Sequence, residues 1–179
     1  DDYLYCFERL YPYADYFTIN VSSPNTPGLR GLQEKEPLLQ LIVKLHEANE
    51  RKIISKPIFL KIAPDLGAEE LKEIKNLAIE NNVDAIIMGN TTVTRDQLNT
   101  ESGMLMRIGQ GGLSGLPLTQ KSTEKLVILK NAEGKIPLIG VGGIMNGGDA
   151  KLRILHGADL IQIYTGFIYY GPGLIKNIL

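Results

Sequence analysis

Short apolar runs alternate with helical stripes along this chain. Residues 16–21, YFTINV, are rich in β-branched and aromatic side chains and predict a strand. Leu38, Leu39, Leu41, Ile42 and Leu45 then recur at helical spacing. PIFLKI (57–62) reads as the next strand, and Leu71, Ile74, Leu77 and Ala78 as the next helical face. DAIIMG (84–89) follows as a third strand. Residues 92–118 are long, glycine-rich and predicted to be irregular. A helix around Thr123–Ala132 stops near Gly134, and IPLIGV (136–141) forms a fourth strand. A helix around 148–156 ends at Gly157, DLIQIY (159–164) is the fifth strand, and a last helix starts near Pro172.

These are five β-then-α units whose strands are almost continuously apolar, the mark of strands covered on both faces in a parallel sheet. Such units build either an open doubly wound sheet or a (β/α)8 barrel. The polar clusters decide between them. NVSSPNT, KIAPD, GNTT, GVGG and YTG each sit where a strand meets its following loop. A barrel collects its chemistry from the C-terminal ends of many strands, whereas an open sheet concentrates it at one switch point. The expectation is therefore an α/β chain supplying about the last five units of a (β/α)8 TIM barrel. No linker divides it, so residues 1–179 read as a single domain.

Composition narrows the function classes. The 179 residues carry 19 basic and 20 acidic side chains, interspersed, for a net charge of −1. No basic patch stands out, which argues against a nucleic-acid partner. The single cysteine, Cys6, excludes an intrachain disulfide. His46 and His156 lie far apart, in predicted helices, without metal-ligand spacing, so no metal site is expected. No apolar run approaches the roughly 20 residues that cross a bilayer. The opening DDYLYCFERLY has no basic signal-peptide region and reads as the interior of a helix.

The strand-end clusters carry the candidate chemistry. Gly142 and Gly143 permit close backbone approach with exposed amides, and Thr165 adds a hydroxyl beside Gly166. After the last two strands of a barrel such turns often hold phosphate; the plain alternative is a pair of tight turns. Lys61 lies in an apolar strand end, where an unpaired ammonium is costly, so it is expected to face an anion or an electron-rich ligand. Asn90 and Thr91 could read an imide edge or simply form a turn. Ser114 and Gly115 either contact a ligand or make a turn before the next helix. In SSPNT, Ser23 has no histidine nearby and no Gly-x-Ser-x-Gly frame, which excludes the usual hydrolase arrangements. A helix cap would explain one serine but not a cluster of Asn20, Ser22, Ser23, Asn25 and Thr26.

Six segments, INVSSPNTPGLRGLQ, FLKIAPDL, GNTTVTR, GGLSGLPL, IPLIGVGGI and IQIYTGFIYYGPG, together closely resemble class 2 dihydroorotate dehydrogenases, in the same order and over essentially the whole chain. These are quinone-dependent, FMN-containing (β/α)8 barrels of pyrimidine biosynthesis. The resemblance implies Ser23 as the catalytic base, where class 1 enzymes carry cysteine, and Thr26 in the proton relay. It implies FMN contacts from Asn20, Lys61, Gly115, Gly142, Gly143, Tyr164 and Thr165. Gly89 stands where the family often has a hydroxyl residue, leaving a backbone contact to FMN. Dihydroorotate or orotate would meet Asn20, Asn25, Asn90 and Thr91. The implied reaction removes the C5 proton and passes the C6 hydride to the flavin, with a quinone as final acceptor. The resemblance also implies that three preceding units and an N-terminal membrane-contacting segment lie outside this stretch. It thereby points to association with the cytoplasmic face of a bacterial inner membrane or with the mitochondrial inner membrane. The alternatives are a catalytically incompetent barrel fragment that binds a phosphate ligand, or another FMN enzyme acting on dihydropyrimidines.

Overall fold

Alternation along each strand sorts its side chains onto two faces, of which the outer one finds apolar cover from the helices. The computed structural model describes residues 1–96 and 98–179. Its elements run α1 (Asp2–Leu10), β1 (Phe17–Asn20), α2 (Lys35–Glu50), β2 (Ile58–Ile62), α3 (Ala68–Glu80), β3 (Ala85–Met88), α4 (Ser102–Ile108), α5 (Thr119–Asn131), β4 (Leu138–Val141), α6 (Gly147–Leu155), β5 (Leu160–Gln162), α7 (Thr165–Tyr170) and α8 (Gly173–Ile178). The strands form one parallel sheet in the order β1-β2-β3-β4-β5. A doubly wound sheet reverses its strand order at a switch point. This sheet never does, so it is an arc of five successive units of a (β/α)8 barrel.

The outer face of the arc holds the larger core. Ile19, Ile58, Leu60, Ile62, Ile86, Met88 and Leu138 pack there with the stripes of α2, α3 and α5, including Leu38, Ile42, Leu71, Ile74, Leu126 and Leu129. The inner face is thinner: Ala85, Ile87 and Ile139 are buried, with Phe59 and Val141 partly so. Register sets what else shares it. Thr18 pairs with Phe59, Asn20 with Lys61, Lys61 with Ile87 and Val141 with Gln162. The starts of β2 and β4 are held by the aspartates that immediately precede the neighbouring strands β3 and β5. The Asp84 carboxylate accepts from the Ile58 amide at 2.7 Å, and Asp159 accepts from the Leu138 amide at 2.8 Å.

The segment 92–118 differs from its expected irregularity. It contains α4 and a 3₁₀ turn at Leu116–Leu118, and an antiparallel bridge between Thr92 and Leu113 closes its base. Helix α7 was also not anticipated; it is separated from β5 by two residues and is capped by Gly171, φ +64°, before α8 starts at Gly173 beside the predicted Pro172. The predicted helix at 123–132 begins earlier, at Thr119, and β5 is only three residues long. His46 lies within α2, while His156 follows the last residue of α6 and shares a 2.7 Å hydrogen bond with the Leu152 carbonyl. No helix among the described residues is long and apolar enough to cross a membrane.

One carboxylate ties the C-terminal rim together. Asp65, in the loop after β2, accepts from Arg30 Nη1 at 2.9 Å, from Lys121 Nζ at 2.5 Å, from the Val93 amide at 3.2 Å and from the Thr92 hydroxyl. Arg30 comes from the loop after β1 and also donates to the carbonyls of Ser22, at 3.0 Å, and Thr91, at 2.9 Å. Lys121 reaches in from α5 and donates as well to Thr92 and Thr94, each at 3.0 Å. The loops after β1, β2 and β3 are thus fixed to one another.

Burial alone would raise the Asp65 carboxyl, but donation from Lys121, Thr92, the Val93 amide and Arg30 outweighs it and holds the pKa at about 2, against an ordinary 3.8. A carboxyl depressed in the folded state stabilises the fold above its unfolded pKa, and that stabilisation is lost as pH falls through the folded one. The gap in unfolding free energy between the parent protein and Asp65→Asn is therefore expected to shrink by about 2 kcal/mol between pH 5 and pH 2. Urea titrations across that range measure it, and a gap independent of pH would contradict the role of the carboxylate.

Candidate functional site

The strand ends of the arc surround a cleft of about 530 Å³, within the range of small-molecule sites. One side of it is built from amides and hydroxyls. Asn20 is the last residue of β1 and points to the inner face in register with Lys61. Its side-chain oxygen accepts from the Ser22 hydroxyl at 2.8 Å and from Asn90 Nδ2 at 3.4 Å. Asn90 Nδ2 also donates to Ser22 Oγ at 2.8 Å, and Asn90 Oδ1 accepts from the Thr91 amide at 2.8 Å. With its oxygen engaged, Asn20 keeps its NH₂ group for the cleft. The Tyr3 hydroxyl of α1 holds the Asn20 carbonyl at 2.8 Å and fixes the strand end.

The two serines of SSPNT divide their work. Ser22 is fully buried and bridges the two asparagines. Its role was not legible in the sequence; the signal available was only its place directly after buried Val21. Ser23 is half-buried, lines the cleft, and its Oγ accepts from the Asn25 amide at 3.3 Å. Thr91 also lines the cleft, and its buried hydroxyl has no partner among the described residues. That oxygen lies against Gly112, where a Cβ would come within 1.9 Å of it, and is closed off from the cleft.

The opposite side is built from glycines. Gly142 and Gly143, directly after β4, have φ of +96° and +71°, a succession that L side chains rarely adopt. A Cβ on Gly143 would lie 2.3 Å from the Thr119 amide nitrogen, so only glycine lets this turn sit against the start of α5. Gly115, Tyr164 and Thr165 complete this side, with Thr165 Oγ1 hydrogen-bonded to Ser114 Oγ at 3.1 Å. Tyr164 stands at the rim, 77% exposed. Gly89 lines the cleft where the backbone passes close to Pro64; a Cβ there would come within 3.3 Å of the proline ring. Leu118, Val141, Ile144 and Gln162 form a floor that was not predicted, although the inward register of Val141 and Gln162 could have indicated it.

Lys61 is the charge in this cleft. It is half-buried and has no hydrogen bond or ion pair among the described residues, and burial lowers the pKa of its ammonium. Among the described residues, no aspartate or glutamate lines the cleft. The electrostatics therefore favour an anionic or electron-rich ligand over a cation.

Two candidates lie outside the cleft. Asn25 is exposed, and its side-chain oxygen accepts from the Gly112 amide at 2.9 Å, joining this loop to the 92–118 segment. Thr26 is exposed, and its side chain makes no hydrogen bond among the described residues. Among the described residues, no group of three histidines, cysteines or carboxylates is placed to hold a metal ion.

Comparison with known proteins gives a consistent result. The family model described as dihydroorotate dehydrogenase matches residues 1–179. A "Dihydroorotate dehydrogenase (quinone)" of Christiangramia forsetii is 50% identical over 99% of this chain and 52% of its own length. Its counterpart in Saccharophagus degradans is 46% identical over 99% of this chain and 53% of its own. The crystal structure of the Eimeria tenella protein in complex with ferulenol superposes with a TM-score of 0.89 at 35% identity, covering 99% of this chain and 51% of that one. This chain thus spans about half the length of the curated relatives it matches. With the whole of the chain matched by one family model, it belongs to the dihydroorotate dehydrogenase family.

Proposed function

We propose that residues 1–179 are the C-terminal part of an FMN-binding barrel that oxidises (S)-dihydroorotate to orotate in pyrimidine biosynthesis, with a quinone as final electron acceptor. One observation carries the reading. Ser23 faces a cleft that holds Asn20, Asn90, Thr91 and Lys61, with no histidine or carboxylate among its lining residues. That set suits proton removal from a flat, amide-rich anion.

The residues present fit FMN. The glycine turn at 142–143 offers backbone to a phosphate, and the unpartnered Lys61 ammonium offers a cation to an electron-rich ring. Gly115, Tyr164, Thr165, Asn20 and the Gly89 backbone complete the set that would hold the cofactor. When bound, FMN supplies the acceptor for the hydride that leaves substrate C6.

In this reading Asn20 and Asn90 hold the imide edge of the substrate, Asn20 through its free NH₂ group. Thr91 meets the same ring from the wall of the cleft. Asn25 has its oxygen engaged by Gly112, which leaves its amide donors for a carbonyl or carboxylate once the loop turns inward. Ser23 Oγ takes the C5 proton. The Asn25 backbone N–H that donates to this oxygen stabilises the negative charge Oγ carries as its own hydroxyl proton leaves and before the C5 proton arrives. Serine is a weak base and depends on exclusion of water, to which the anchored 92–118 segment contributes. Thr26, exposed three residues further on, is the assigned exit for the proton. A quinone acceptor partitions into lipid, so this reading places the protein at a membrane surface, with contact made by residues outside these 179.

The first test is an absorbance spectrum of the purified full-length protein: flavin bands are expected, with bleaching on anaerobic addition of dihydroorotate. Ser23→Ala should retain bound FMN and slow single-turnover flavin reduction by about 10²–10⁴-fold. An unchanged rate would remove Ser23 from the base role. Lys61→Ala should weaken FMN retention by about tenfold, read by fluorescence titration of the stripped protein, roughly the loss of one charge-assisted contact. Full flavin occupancy at limiting FMN would contradict the assignment of Lys61.

A further inference from the structure

Arg153, on α6, is the largest fully buried side chain among the described residues, 1% exposed. It has no ion pair among those residues. Asp149, one turn earlier on α6, attracts it without direct contact, and a buried charge with so little compensation is costly and calls for a reason. All of its hydrogen bonds go to backbone carbonyls. Nη1 donates to Val141 at 3.2 Å, and Nη2 donates to Gly142 at 2.8 Å and to Thr119 at 3.4 Å. The Thr119 hydroxyl takes the next carbonyl of the turn, Gly143, at 2.6 Å. The chain leaves room for this arrangement: a Cβ on Gly140 would lie 2.5 Å from Arg153 Cγ.

A trans peptide is planar, with its C=O and N–H pointing in opposite directions. Holding the Gly142 and Gly143 carbonyls on the buried side turns the amides of Gly143 and Ile144 the other way. Both residues line the cleft, and neither amide donates to the protein among the described residues. We propose that Arg153 is a positioning residue for the phosphate of FMN: behind the glycine turn it fixes the carbonyls inward, aims the amides at the phosphate, and supplies a fixed positive charge. This rests on the reading of the 142–143 turn as the phosphate end of the cleft.

Riboflavin, which is FMN without its phosphate, separates the two ideas. Apo full-length protein is titrated with FMN and with riboflavin, and the quenching of flavin fluorescence gives the ratio of the two dissociation constants. The parent protein is expected to prefer FMN by well over tenfold. Arg153→Met should lower that preference by about tenfold, equivalent to about 1.4 kcal/mol, with riboflavin affinity moving less than about twofold. Arg153→Lys, which keeps the charge and can reach one carbonyl, should retain more of the preference than the methionine variant. A parent protein without preference for FMN overturns the phosphate reading and this proposal with it. A parent preference that survives in Arg153→Met to within about twofold overturns the role of Arg153 alone. If Arg153→Met shows no cooperative melt, Arg153→Gln, neutral but able to donate one bond, is judged by the same ratio.

Discussion

The Asp65 carboxylate receives hydrogen bonds from the loop after β1, through Arg30, from the loop after β3, through Thr92 and the Val93 amide, and from α5, through Lys121. Arg30 is effective because its planar fork engages the carboxylate and two carbonyls at once, including those of Ser22 and Thr91. Those two carbonyls belong to residues that build the amide side of the cleft. The placement of Asn20, Ser22, Asn90 and Thr91 relative to one another thus follows from an ion pair that itself lies outside the cleft.

The cleft then combines two different ways of presenting polarity. On the amide side, side chains do the work, and most of their capacity is already spent on one another, so what remains is directional: the Asn20 NH₂ group and the Ser23 oxygen. On the glycine side, backbone amides do it, and their direction is set from behind by Arg153 and Thr119. A ligand with a flat polar ring at one end and an anion at the other meets each kind of polarity where it is suited. The absence of carboxylates from the lining keeps both ends positive or neutral.

Strands β1 to β4 and the helices α2, α3 and α5 were legible because each buries apolar residues at a fixed period, such as Leu38, Ile42 and Leu45 on α2, whereas α6, which buries only Ala150 and Arg153, was legible through the Gly157 that follows it. Helix α4 buries no residue at all, and α7 buries only Gly166, with Ile168, Tyr169 and Tyr170 exposed, so neither leaves a stripe to read. Asn20, Ser23, Lys61, Asn90 and the glycines could be singled out because they stand at strand ends, where register carries them into the cleft. Asn25 and Thr26 stand in the same motif, but the turn after Pro24 carries them outward, and their positions depend on Gly112 and on solvent instead. The ties that hold the rim were not legible for a simpler reason: Arg30 lies 35 residues from Asp65, and Lys121 lies 56. No local pattern records such a pairing.

Every strand pairing in the sheet joins neighbours in the chain. The arc can therefore grow by adding one strand at either side, without rethreading any strand already placed. Its two outermost members, β1 and β5, each present one row of backbone donors and acceptors that no strand of the sheet occupies. Leu160, on the inner register of β5, is 62% exposed beside that row. The same topology that gathers the site from successive loops makes assembly modular, and it makes both flanks of the sheet templates for the addition of a further parallel strand.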